Sequence, residues 1–345
     1  LDADDRVAAL EDPRVHDPAD RLGSLFPRLC LAAVLILPLG AQAAAPPADH
    51  HQHLFSPGII AFLAPKPGPE ALREIPVDEL VGLLDKAGIR RAAIMSVAYM
   101  YGRPTRVVED EYAKVQGEND WTAAQAAKYP GRLRAFCGFN PLKDYALKEL
   151  ERCAAHPGLR HGIKMHFGNS DVQLENPEHI KRLQEVFRAA NRHRMAIAVH
   201  LRANIGLKRP YGEAQARAFL TQLMPQAPDI LVQVAHFAGT GPGYEDPPAN
   251  EVMRVFAEAA ARKDPNTRNL YFDVASIATP DISPEHAREM VARIRMVGVD
   301  KILYGSDAAT PGNMKPLEAW AAFRALPLTR EEFGRIAGKV APYLQ

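Results

Sequence analysis

The stretch that decides the fold is residues 49–55, which read DHHQHLF. His51 and His53 stand two residues apart, and in a β-strand this spacing directs both imidazoles to the same face. Asp49 has the same parity, so we expect these three side chains to point inwards and His50 to point outwards into a helix layer. The pattern therefore predicts a first strand that carries two side chains able to bind a metal.

Short apolar runs alternate with longer helical patterns along the rest of the chain. Eight runs are predicted as strands: Asp49–Phe55, Ala92–Tyr99, Leu133–Asn140, Gly162–Phe167, Met195–Leu201, Ile230–Phe237, Leu270–Ala275 and Lys301–Asp307. Alternation of strand and helix implies parallel strands joined by right-handed crossovers. We therefore predict an α/β fold, a (β/α)8 TIM barrel with a metal site at the C-terminal end of its strands. Residues 44–345 are predicted to form this single domain, with closing helices from Lys315 to Gln345.

Residues 1–43 are predicted to be an N-terminal extension and a signal peptide. Arg21 and Arg28 come before an apolar run at 29–40, and Ala-Gln-Ala at 41–43 resembles a cleavage site. The run is shorter than the roughly 20 residues that a membrane-spanning helix needs. We therefore predict a secreted or periplasmic protein with no membrane association after cleavage; a buried apolar segment is the alternative.

Composition limits the partners. The formal net charge is +1, and no stripe of lysine or arginine is visible, which argues against nucleic acid. A small-molecule substrate is expected, and a homo-oligomer is left open. Outside the leader only Cys137 and Cys153 remain. Two separate buried thiols are favoured over a disulfide, although an oxidising compartment would permit one.

Further side chains able to bind a metal stand near the ends of other predicted strands. They are Lys164 and His166 on strand four, His200 on strand five, His236 on strand six and Asp307 on strand eight. A lone strand-end histidine is usually a hydrogen-bonded core residue, and a terminal aspartate often caps a helix. One metal site at the active end of the barrel explains all of them together. These donors suit Zn²⁺, with Mn²⁺, Fe²⁺ and Co²⁺ as alternatives.

With these residues the sequence resembles the amidohydrolase superfamily, and more closely its amidohydrolase-related (amidohydrolase 2) branch. The matching positions are Asp49-x-His51-x-His53, Gly162-Ile163-Lys164, His200, His236 and Gly305-Ser306-Asp307. The resemblance implies one metal ion bound by His51, His53, His200 and Asp307. It also implies that His236 polarises the substrate or positions the water, and that Asp307 is the general base.

Lys164 leaves the number of ions open. In two-metal relatives a lysine on strand four is carboxylated and bridges two ions, and His236 would then bind the second. The closer branch usually works with one ion, which favours one here. In that case Lys164 and His166 contact the substrate. Arg202 follows His200 directly and either pairs with a substrate carboxylate or forms a loop salt bridge.

The fold alone does not settle the reaction. The leading hypothesis is a metal-dependent hydrolase that uses metal-activated water to cleave an amide, ester or lactone bond of a small molecule. The alternative is a metal-dependent non-oxidative decarboxylase of the same branch. A metal-binding barrel without turnover is the least supported, because His236 and Asp307 would then have no role.

Overall fold

The computed structural model describes residues 45–63, 74–310 and 312–345. The predicted signal peptide, including its apolar run at 29–40, lies outside these residues. Among the described helices, none is long and apolar enough to cross a membrane. The described residues contain eight strands: β1 Ala48–Gln52, β2 Arg91–Met95, β3 Leu133–Gly138, β4 Gly162–His166, β5 Ala196–His200, β6 Val232–Val234, β7 Leu270–Asp273 and β8 Ile302–Leu303.

The strands form one parallel sheet in chain order, from β1 through to β8. Two backbone hydrogen bonds bring the last strand against the first. His50 N–H donates to the Tyr304 carbonyl (2.9 Å), and Asp307 N–H donates to the His51 carbonyl (2.8 Å). The eight strands therefore form a nearly closed barrel, which confirms the predicted (β/α)8 fold class.

Helices fill the connections, as the alternating pattern predicts. Those with α-helical geometry are α1 Pro57–Leu63, α2 Val77–Lys86, α3 Glu111–Ala127, α4 Ala146–Ala155, α5 Phe167–Ser170, α6 Pro177–Arg192, α7 Glu213–Ala218, α8 Pro247–Ala261, α9 Pro284–Val297, α10 Pro316–Arg324 and α11 Arg330–Ala337. Side-chain oxygens at the first turn start several of them, as in the cap that Ser283 gives α9 and Thr329 gives α11. Proline at the first helical position, as in α6, fixes the backbone angle that a helix needs there.

The barrel interior is narrow and filled mostly by small side chains. Its inner cluster consists of Ala48, Ala93, Met95, Phe136, Ala196, Ala198 and Leu344. Gly162 makes room for Phe136, because a Cβ at that position would lie 2.4 Å from the phenyl ring. Leu344 belongs to a short 3₁₀ turn, Pro342–Leu344, after α11. The chain therefore ends by closing the floor of the barrel, opposite the carboxyl ends of the strands.

The two cysteines form a disulfide. Cys137 on β3 and Cys153 on α4 both face the layer between barrel and helices, with Cα atoms 6.2 Å apart. This separation lies within the range that a disulfide spans. The preference for two separate thiols is therefore wrong, because the packing of α4 on β3 could not be read from the sequence.

A buried carboxyl outside the barrel gives a prediction for stability. Glu118 on α3 accepts a hydrogen bond from the Ser56 hydroxyl, and burial raises its pKa from 4.5 to about 7. The native state then binds this proton more tightly than the unfolded chain, so stability falls as the pH rises from about 4.5 to 7. At about 1.4 kcal/mol per pKa unit, this group contributes a loss of up to about 3 kcal/mol.

We expect Glu118→Gln to lose that part of the pH dependence. The check is the free energy of unfolding in urea at pH 5 and pH 8 for both proteins. The fall between the two pH values should be smaller in the variant by 1 kcal/mol or more. An equal fall in both proteins would show that Glu118 titrates normally.

Candidate metal centre

A β-bulge in β1 sets which side chains enter the barrel. Asp49 pairs with Ala92 and Gln52 pairs with Ile94, so β1 has three steps where β2 has two. Asp49 and Gln52 therefore share the outward face of Ala92 and Ile94, and their side chains bond each other at 2.8 Å. The extra residue turns both His50 and His51 towards the interior.

The expected parity of strand one is thus wrong for two residues. His50 points to the barrel floor, where its Nδ1 donates to the Tyr304 carbonyl (2.8 Å) and its Nε2 accepts from the Ala341 N–H (3.1 Å). Asp49 lies behind the site and accepts from the Ser306 hydroxyl at 2.6 Å and from two backbone amides. Burial raises the pKa of Asp49 to about 6. Asp49 therefore ties the end of β1 to the segment that carries Asp307.

His51 and His53 present their Nε2 atoms to one point. His51 Nδ1 lies 2.9 Å from Asp273 Oδ2, and His53 Nδ1 lies 2.6 Å from the Met95 carbonyl. Because both partners are acceptors, the Nδ1 atoms carry the protons and each Nε2 presents a lone pair. Burial, with the nearby charge of Lys164, holds the pKa of His53 well below its usual range. The local environment therefore prepares a neutral His53 for metal binding.

Asp307 completes this first group of donors. Its Oδ1 lies 4.0 Å from His53 Nε2, and the donors of His51, His53 and Asp307 lie within 4.8 Å of one another. The Thr310 hydroxyl donates to Oδ1 (2.6 Å), and Asn313 Nδ2 donates to Oδ2 (2.9 Å). Asp307 has a φ of 51°, a left-handed conformation that aspartate tolerates better than most residues. The carboxylate is therefore fixed towards the two histidines.

A second group of donors joins His51 to His236 and Asp273. The Asp273 carboxylate accepts from His51 through Oδ2 and from the His236 backbone N–H through Oδ1 (2.9 Å). Burial acts to raise the pKa of Asp273, but its contacts with His51 hold it well below its usual range. His236 Nδ1 lies 2.9 Å from the Ala275 carbonyl, which leaves its Nε2 as a lone pair. Burial lowers the pKa of His236 to about 4.

The backbone at His236 is strained. His236, Phe237 and Ala238 have φ values of 51°, 51° and 66°, a left-handed run that is rare outside glycine. Each such residue costs on the order of 1 kcal/mol, and strain of this kind tends to collect at functional sites. The bonds from Asp273 and Ala275 hold the run in place. His236 is therefore positioned in the site at a cost in stability.

Lys164 is an ionisable group in the barrel interior with 1% of its surface exposed. Its Nζ lies 3.2 Å from His51 Nε2, and burial lowers its pKa to about 8. An ammonium at this position would be repelled by a divalent cation, so an ion in the site would favour the neutral amine. The arrangement fits both roles predicted for Lys164, as a substrate contact and as a carboxylated bridge.

His166 and His200 face each other at the mouth of the site. Their rings stack with centroids 3.8 Å apart and planes at 13°. His166 Nδ1 accepts from the Asn169 N–H (3.0 Å), so a neutral His166 carries its proton on Nε2 and can donate a hydrogen bond. His200 lies 5.1 Å from His236 between ring centroids and is in neither group of three donors among the described residues. Its assignment as a metal ligand stays a prediction.

Arg202 already has a protein partner. Its guanidinium makes two hydrogen bonds to Asp246 (2.7 and 3.2 Å) and lies 4.8 Å from the centre of the Tyr211 ring. The loop salt bridge is therefore present, and a contact with a substrate carboxylate stays a prediction. Arg202 lines a cleft of about 300 Å³ together with His166, His200 and Arg103. No sequence pattern indicated Arg103, since its position in the cleft depends on the fold.

The acceptor atoms that converge at the centre indicate whether a divalent cation fits there. His53 Nε2 faces His51 Nε2 at 3.2 Å and Asp307 Oδ1 at 4.0 Å, and all three atoms are acceptors in these tautomers; Lys164 Nζ lies 3.2 Å from His51 Nε2 and can donate to that one atom. Converging acceptors repel one another unless a proton or a cation lies between them. Imidazole nitrogen with carboxylate oxygen is a ligand set used for zinc and similar ions. The residues present therefore fit a divalent cation.

A (β/α)8 barrel with imidazole and carboxylate donors at the carboxyl ends of its strands defines a barrel enzyme able to hold a divalent metal. The sequence matches the amidohydrolase family profile over residues 48–341. This chain therefore belongs to the amidohydrolase family, in the amidohydrolase-related branch, and is an enzyme of that superfamily. Among curated proteins no sequence match is found.

Solved structures with a similar fold come mainly from decarboxylases. A 5-carboxyvanillate decarboxylase from Novosphingobium aromaticivorans, complexed with manganese and a nitrobenzoic acid, matches with 12% identity and a TM-score of 0.59, covering 87% of this chain and 96% of that one. A 2,6-dihydroxybenzoate decarboxylase from Rhizobium matches with 17% identity and a TM-score of 0.58, covering 85% of this chain and 96% of that one. A probable 2-pyrone-4,6-dicarboxylic acid hydrolase from Acinetobacter baumannii matches with 18% identity and a TM-score of 0.53, covering 84% of this chain and 95% of that one. At these identities the likeness shows the fold alone.

Proposed function

We propose that this chain is a metal-dependent hydrolase that cleaves an amide, ester or lactone bond of a small molecule. The observation that carries the proposal is Asp307, whose carboxylate is fixed by Thr310 and Asn313 beside the Nε2 atoms of His51 and His53. A carboxylate in this position can take a proton from water. The same position suits transfer of that proton to a leaving group.

His51, His53 and Asp307 would hold the cation, with His200 as a predicted fourth ligand. When bound, the cation would lower the pKa of water to about 7 and polarise a substrate oxygen. Asp307 would accept the water proton at a carboxylate oxygen and return it to the leaving group. Zn²⁺ remains our first choice for the ion, although the nitrobenzoate complex of the Novosphingobium decarboxylase contains manganese.

The two remaining histidines have opposite hydrogen-bonding roles. Neutral His236 presents a lone pair at Nε2, so it can accept a hydrogen bond from water or bind a second ion. Neutral His166 presents an N–H at Nε2, so it can donate to a substrate oxygen. His166 is therefore the better candidate for polarising a substrate carbonyl, a role that the sequence resemblance gave to His236.

The second candidate is a non-oxidative decarboxylase, in which the bond to a carboxylate carbon breaks, CO2 leaves and a proton is added to the remaining carbon. The decarboxylases of similar fold favour it. Asp307 would then act in its protonated form and donate that proton. The donor set suits this reaction as well as hydrolysis, so only the products separate the two candidates.

Product analysis in H2¹⁸O is the experiment that decides. The protein, loaded with Zn²⁺ or Mn²⁺, is given a panel of small esters, lactones and amides alongside hydroxybenzoic acids. The hydrolase proposal predicts ¹⁸O in a new carboxyl group and no release of CO2. Turnover of the hydroxybenzoic acids with CO2 release, and of no ester, lactone or amide, would replace it with the decarboxylase. The His53→Ala variant is the control for background reaction.

We also propose export to an oxidising compartment. The predicted leader suggests it, and the Cys137–Cys153 disulfide is of the kind that persists in such compartments.

A further inference from the structure

A buried chain of hydrogen bonds connects the C-terminal segment to the candidate metal centre. The Tyr343 hydroxyl donates to Gln233 Oε1 (2.5 Å), and Gln233 Nε2 donates to Asp273 Oδ2 (2.6 Å). The same Asp273 oxygen accepts from His51 Nδ1 (2.9 Å). Three consecutive bonds therefore join the last turn of the chain to a predicted metal ligand.

Each bond in this chain has a fixed direction. Tyr343 donates to the amide oxygen of Gln233, which turns the amide nitrogen towards Asp273 and the His50 carbonyl (3.1 Å). Asp273 then has an acceptor oxygen facing His51, which keeps the proton of His51 on Nδ1. Hydrogen bonds in series within a dry interior strengthen one another. The lone pair of His51 Nε2 thus depends on groups as far away as Tyr343.

The C-terminal segment is also held firmly where it enters the floor. Ala341 N–H donates to His50 Nε2 (3.1 Å), and Arg91 donates to the Leu344 carbonyl (3.0 Å). The Tyr343 ring packs edge-on against Phe136, with centroids 4.9 Å apart. The tyrosine ring is thus positioned by several contacts besides its hydroxyl, so removing the hydroxyl tests the hydrogen-bond chain rather than the packing.

We propose that Tyr343 and Gln233 are positioning residues that hold the Asp273 carboxylate, and through it the orientation of His51, and thereby set the affinity of the centre for a divalent cation. This inference rests on the metal centre of the proposed function but not on which reaction is catalysed. Partners behind a metal-binding histidine typically change metal affinity by about 10- to 100-fold when removed. The direct partner of His51 is Asp273, with Gln233 one bond and Tyr343 two bonds behind it, so we expect the lower end of this range for Gln233 and a smaller effect for Tyr343.

The test measures the dissociation constant of Mn²⁺ by titrating metal-free protein, without any assay of turnover. Tyr343→Phe should weaken binding by about 3- to 10-fold and Gln233→Leu by about 10-fold or more. The double variant should bind like Gln233→Leu alone, because both changes break one chain. Tyr304→Phe is the matched control, since it removes a buried hydroxyl whose hydrogen bond, within the described part of the chain, goes to the Pro316 carbonyl, and it should change binding by less than about twofold.

Three results would overturn the inference. Tyr343→Phe could bind Mn²⁺ like the wild type, or no more weakly than Tyr304→Phe. The effects of the two single variants could also multiply in the double variant, which would place Tyr343 outside the chain through Gln233. If the wild type itself bound no cation, the metal centre and this inference would fall together.

Discussion

Asp307→Asn should keep its bound metal and lose about 100- to 10,000-fold in kcat, the contribution typical of a general acid–base group. Asparagine retains one oxygen, which in the place of Oδ1 can bind a cation and still accept from Thr310. It cannot accept a proton from water, and in the decarboxylase candidate it cannot donate one to carbon. The loss should therefore appear in kcat, measured at saturating substrate with metal content determined on the same samples.

Asp264→Asn is the matched control, because it makes the same change at a carboxylate that only caps a short turn, Pro265–Thr267. Its activity should stay at the wild-type level. Full turnover by Asp307→Asn would show that another group moves the proton. Loss of the metal from Asp307→Asn would make the carboxylate above all a ligand, and the general-base role would then have no support.

The second large effect concerns His51, on β1, and His53, directly after that strand. His51→Ala or His53→Ala removes one of two Nε2 donors that face each other at 3.2 Å. Metal affinity should fall by at least about 100-fold, more than the loss of a group behind a ligand causes. Activity without added metal should disappear. Metal titration and kcat at a fixed metal concentration would both report the loss.

His193→Ala provides the comparison, since His193 pairs with Glu151 on the helix surface. It should bind metal and turn over substrate like the wild type. If His51→Ala and His53→Ala bound metal as tightly as His193→Ala, the converging lone pairs at β1 would not be the metal centre.

Much of the fold was available from the sequence because strand and helix patterns differ in period. Each of the eight apolar runs overlaps one strand of the barrel, although the regular strands are shorter than the runs. The runs continue beyond the regular pairing because their last residues, such as His53 and His236, turn into the loops that form the site. These irregular ends carry most of the chemistry.

Side-chain direction within β1 could not be predicted, because the bulge arises from pairing with β2. Strict alternation sends His50 outwards and Asp49 inwards, whereas the extra residue reverses both. The hydrogen bonds that hold the Asp307 carboxylate could not be predicted either. Thr310 and Asn313 lie in a loop without a recognisable pattern, and only the fold brings them to the carboxylate.

Lone-pair directions depend on backbone partners that the sequence does not display. The carbonyl beside His236 and the amide beside His166 give these residues opposite tautomers. Composition and spacing treat all histidines alike, so the sequence could assign them to one site but not to separate roles.

The most direct test of the central claim is the metal content per chain, by elemental analysis, of the mature protein purified and then loaded with Zn²⁺ or Mn²⁺, alongside His236→Ala. We predict about one ion in both proteins, held by His51, His53 and Asp307, with His236 left as a substrate- or water-binding group. Two ions falling to one in His236→Ala would indicate a two-metal centre with Lys164 as a carboxylated bridge. No bound ion in the loaded wild type would contradict the account.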